Sequence, residues 1–109
     1  MALDVHIIKR GSRFPEKNSH TAFGFGDEHA EIFRVVYTDA SAYPELAKMQ
    51  DYYDDVLYEE KDLQDLATEL EQVVLQFPTN SVAERGLRRF LELSKQAIAE
   101  DKSILLFAD

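Results

Sequence analysis

Apolar and polar positions alternate over LDVHIIK (residues 3–9). Leu3, Val5 and Ile7 fall on one face and Asp4, His6 and Ile8 on the other, and the β-branched content predicts a strand. EIFRVVYT (31–38) is also rich in β-branched and aromatic residues and is predicted as a second strand, with Ile32, Arg34 and Val36 opposite Phe33, Val35 and Tyr37. The connection between them, RGSRFPEKNSHTAFGFGDEHA, shows no clear period. So long a link in a small domain is usually functional, mobile, or hides another element. TAFGF within it reads as a short strand whose glycines mark a bulge or an edge.

The period then changes. Pro44 suits a first helical position and Glu45 faces the positive end of the dipole. Leu46, Met49 and Tyr53 follow at helical spacing, so a helix is predicted over 44–53. DVLYE reads as a short strand or extended connector. In KDLQDLATELEQVVLQF, residues Leu63, Leu66, Leu70, Val73, Val74 and Phe77 make one apolar stripe, and Pro78 stops the helix. The next helix opens with Ser81 and Glu84 at capping-box spacing and buries Leu87, Phe90, Leu91, Ser94, Ala97 and Ile98. Gly86 costs this helix about 1 kcal/mol relative to alanine, and a close helix contact is one reason for it. The short link between the two helices makes them an antiparallel hairpin. ILLFA (104–108) is a continuous apolar run that suits a strand covered on both faces. The expected fold is therefore a single two-layer α+β domain over residues 1–109. A small mixed β-sheet of three to four strands packs against the helix hairpin plus one short helix.

Composition narrows the function more than the fold. A chain of 109 residues with 45% hydrophobic and 11% aromatic content has the material for one core. Absence of cysteine excludes disulfides and thiolate metal sites and fits a reducing compartment. The apolar run at the start is too short for a secretory leader, and its charges follow the run. No apolar run approaches the roughly 18 residues of a membrane span. These features lead us to expect a cytoplasmic protein of bacterial type. The net charge is −9, and residues 21–79 hold three Lys/Arg against fourteen Asp/Glu. Such a surface repels phosphates and anionic lipids, so neither nucleic acid nor membrane is an expected partner.

The densest acidic segment is MQDYYDDVLYEEKD (49–62). Glu59, Glu60, Asp62 and Asp65 crowd a helix start, where the dipole alone explains them. A calcium loop would need a glycine, which the segment lacks. A hydrolytic carboxylate pair needs a deep cleft. Asp51, Tyr52, Asp54, Asp55 and Tyr58 together suit a basic protein partner with some apolar surface. The plainer alternative packs Tyr53 and Tyr58 in the core and leaves the aspartates to solvate a helix end. His6 and His29, on or beside strands, are weak metal candidates with Asp27, since no HxH or HExxH spacing makes them converge. AFGFGDEH lacks the lysine of a phosphate loop, and no G-x-S-x-G elbow is present. The basic segment KRGSRFPEK either balances nearby acids or docks on a second copy as a homodimer.

The leading expectation is a non-enzymatic, cofactor-free binding module engaging a basic partner, as small acidic immunity or inhibitor proteins do. The alternatives are a small metal-dependent enzyme and a self-assembling structural protein pairing through a sheet edge.

Overall fold

The computed structural model describes residues 3–11, 23–25, 28–39, 41–49 and 55–108. Four strands and four helices lie among them: β1 Leu3–Lys9, β2 Phe23–Phe25, α1 Glu28–Thr38, α2 Pro44–Ala47, β3 Val56–Tyr58, α3 Glu60–Val73, α4 Val82–Ala99 and β4 Lys102–Ala108.

Local chemistry sets the ends of the two long helices. Ser81 caps α4, its Oγ accepting from the Glu84 amide at 3.1 Å, while the Glu84 carboxylate accepts from the Asn80 amide at 3.0 Å. α3 tightens into a 3-10 turn, Val74–Gln76, and ends at Phe77, whose extended backbone is the one a following proline favours. The six stripe residues from Leu63 to Phe77 are all buried, and α3 packs along α4. On α4 the foreseen face is buried except at Ile98, which is 38% exposed.

The sheet order is β2-β1-β4-β3. β1 and β4 pair antiparallel along their whole length, from Leu3 opposite Ala108 to Lys9 opposite Lys102. Both short edge strands also pair antiparallel with their neighbours, so the sheet is antiparallel throughout where a mixed one was expected. Val5, Tyr58, Ile104 and Leu106 join the helices in one core cluster. His6, Ile8, Ser103 and Leu105, which alternate with them along β1 and β4, are buried on the other face. The last strand is thus covered on both sides, as its unbroken apolar run requires.

EIFRVVYT is not a strand; it lies in α1. Helical geometry gathers Ile32, Phe33 and Val36 into the core and leaves Arg34 and Tyr37 outside. A strand would have put Arg34 on the same face as Ile32 and Val36. Burial of a helical face here outweighs the β preference of the composition. The rings of Phe33 and Tyr37, one turn apart, stand 6.0 Å from each other. α2 is shorter than foreseen: after Ala47 the Lys48 and Met49 amides bond three residues back, to Glu45 and Leu46. The rest of the helix expected to residue 53 lies outside the described residues. The result is a two-layer α+β fold, a small sheet against a helix pair with two further helices beside it. No helix among the described residues is long and apolar enough to cross a membrane.

Candidate functional site

The start of α2 has a capping problem. Tyr43 occupies the N-cap without a side-chain capping bond, and Pro44 follows, leaving the amides of Glu45 and Leu46 in need of acceptors. α3 supplies them. Glu69 Oε1 accepts from the Glu45 and Leu46 amides, both at 3.0 Å, and Oε2 lies 3.1 Å from the Glu45 amide. The Tyr58 hydroxyl donates to the Glu45 carbonyl at 2.6 Å, and Gln76 Nε2 donates to the Tyr43 hydroxyl at 3.0 Å. A four-residue helix is thereby tied to α3, β3 and the 3-10 turn.

The electrostatics of this junction are uneven. Glu69 is 6% exposed. Burial pushes its carboxyl above the usual glutamate value, the two amides pull it back, and Glu45 and Asp65 add repulsion. Burial, with Glu45, Glu69 and Asp62 nearby, raises the Tyr58 hydroxyl well above its ordinary value. Lys48 lies 2.7 Å from Glu45, 3.9 Å from Asp62 and 5.8 Å from the Tyr58 ring centre. Its hydrogen bond to Glu45 raises the ammonium pKa.

Beside the junction a groove of about 370 Å³ runs between α3 and the α1–α2 connection. Asp65, Thr68, Glu69 and Gln72, at i, i+3, i+4 and i+7 of α3, form one wall; Ser41, Ala42 and Pro44 form the other. The lining offers carboxylates, hydroxyls and an amide, with no lysine or arginine. Asp65 and Glu69 have no salt bridge among the described residues, whereas four other acids of the middle third are matched internally. Glu60 pairs with Arg10, Glu45 and Asp62 with Lys48, and Glu71 with Lys95. The basic segment therefore spends at least Arg10 on its own chain.

Of the residues foreseen as partner-binding, Asp51, Tyr52 and Asp54 lie outside the described residues, as does Asp27 of the metal candidates. Asp55 is exposed. Tyr58 is fully buried, so a partner would reach its ring only by opening the fold. His6 is 8% exposed, on the sheet face away from the main core, and His29 falls in α1 instead of beside a strand. Among the described residues no group of three or more metal-type ligands forms. Glu69 was overlooked, although its spacing gave a signal. Three residues after Leu66 and four before Val73, it shares the apolar stripe, and a carboxylate there must be buried and bonded.

Compared with protein-family models, curated proteins and solved structures, the chain matches none.

Proposed function

We propose that this chain is a non-enzymatic protein-binding module that takes a basic segment of a partner on the groove between α3 and the α1–α2 connection. In this reading it resembles a small acidic inhibitor or immunity protein of a bacterial cytoplasm. One observation carries the reading: Asp65 and Glu69 line an open groove that holds no lysine or arginine, and among the described residues neither forms a salt bridge, while Glu60, Asp62 and Glu71 do. A partner's arginine or lysine entering there relieves the repulsion between the two carboxylates and meets the acceptors of Thr68, Gln72 and Ser41. The excess negative charge of residues 21–79 speeds the encounter and turns away acidic competitors.

A labelled oligo-arginine peptide, followed by fluorescence anisotropy, tests this. The native chain is expected to bind it saturably, with affinity falling as salt rises. Asp65→Lys should weaken binding at least about tenfold. Glu92→Lys, an equal charge change at an exposed site on α4, should weaken it far less. Equal losses from the two variants would reduce the interaction to net charge and end the assignment of the groove.

A further inference from the structure

A second cavity, of about 210 Å³, opens where the end of β1, the first turns of α3 and the α4–β4 turn meet. It is smaller than the roughly 300–1,000 Å³ of drug-sized sites and suits a single small metabolite. Its apolar lining comes from Leu63, Ala97 and Ile98, and its rim carries both signs. Arg10 straddles that rim. Its Nη1 donates to both carboxylate oxygens of Asp101, at 2.9 and 3.1 Å, and its Nη2 pairs with Glu60. Lys102 stands beside it, 3.4 Å from Glu100.

Two properties of the rim matter. First, the pairs are exchangeable: the side chains of Arg10, Glu60 and Asp101 are 47%, 60% and 77% exposed, and ion pairs this wet contribute about 1 kcal/mol or less. Second, the backbone here is unusual. Gly11, Glu60 and Asp101 have φ of 87°, 41° and 56°. Asp101 follows the end of α4, where a left-handed residue commonly closes a helix. Glu60 has no such reason; it opens α3 in a region that side chains other than glycine avoid.

The charge pattern selects the ligand. A lone anion drawn to Arg10 would stand against Glu60 and Asp101, and a lone cation would compete with Arg10. A molecule carrying both charges re-partners every group on the rim. The geometry points to a binding site for a free α-amino acid with an aliphatic side chain. Its carboxylate meets Arg10, with Lys102 beside it; its ammonium meets Glu60 and Asp101; its side chain lies on Ile98, the exposed member of the apolar lining. This site is separate from the acidic groove and does not depend on its assignment.

Backbone-amide NMR of the unmodified chain tests it with three probes: leucine, leucinamide without the carboxylate, and 4-methylpentanoate without the amine. Leucine is expected to shift the amides of Arg10, Gln64, Asp101 and Lys102 saturably, and each truncated probe to bind at least about tenfold more weakly. Arg10→Met should remove the leucine response while the remaining spectrum stays folded. Absence of a saturable leucine response, equal binding of the three probes, or shifts centred elsewhere would overturn the proposal. The probe series needs no variant, so it decides the question even if Arg10→Met fails to fold.

Discussion

Glu84 and Glu69 are both glutamates buried near helix starts, 4% and 6% exposed, yet they are built in opposite ways. Glu84 serves its own helix: its amide meets Ser81, its carboxylate meets Asn80, and Arg88 one turn on supplies a counter-charge. Glu69 serves another helix, 23 and 24 residues away, and it forms no salt bridge among the described residues, only a longer-range attraction to Lys48. A local cap is a closed unit. A cap borrowed across the fold leaves a charge that is fixed, desolvated and open to a groove, which is the state a binding surface requires.

Removing each cap should show the difference. Glu69→Ala strips the acceptors from two amides, one of them buried, and is expected to cost about 3 kcal/mol in urea unfolding. Ser81→Ala removes one acceptor at an accessible helix end and should cost about 1 kcal/mol. If the order were reversed, Glu69 would not be what holds α2 in place.

A smaller effect separates the charge of Glu69 from its hydrogen bonds. A carboxyl whose folded pKa lies above its unfolded one takes up protons on folding. The native chain therefore keeps that stability below about pH 4.5 and loses it as pH rises through the raised value. Glu69→Gln retains an oxygen able to accept both amides but carries no charge. The stability difference between variant and native chain should be flat at low pH and move in the variant's favour across that window. Urea midpoints over a pH series read it directly; a difference that does not change with pH would mean the buried charge is not strained.

The same contrast marks what could be read from the residues beforehand. Ser81, Glu84, the leucine stripe of α3 and the alternation of β1 are local patterns, and each became the element it implied. TAFGF and DVLYE yielded the two edge strands. EIFRVVYT differs because its β-branched composition favours a strand while the position of Arg34 fits a helix with Ile32, Phe33 and Val36 inside. Strand direction was illegible, because pairing of the first strand with the last depends on how the helices return the chain. The groove was illegible for a similar reason. It joins residues 41–44 to 65–72, and nothing short-range records that meeting.

The most direct measurement is the pH titration of the Glu69 side-chain carboxyl by carbon-detected NMR, alone and with oligo-arginine bound. A buried carboxylate without a salt bridge should titrate above the ordinary glutamate value when free, and its midpoint should drop once a guanidinium occupies the groove. A free midpoint at or below the ordinary value, or a raised one that the peptide leaves unmoved, would contradict the groove as a site for a basic partner.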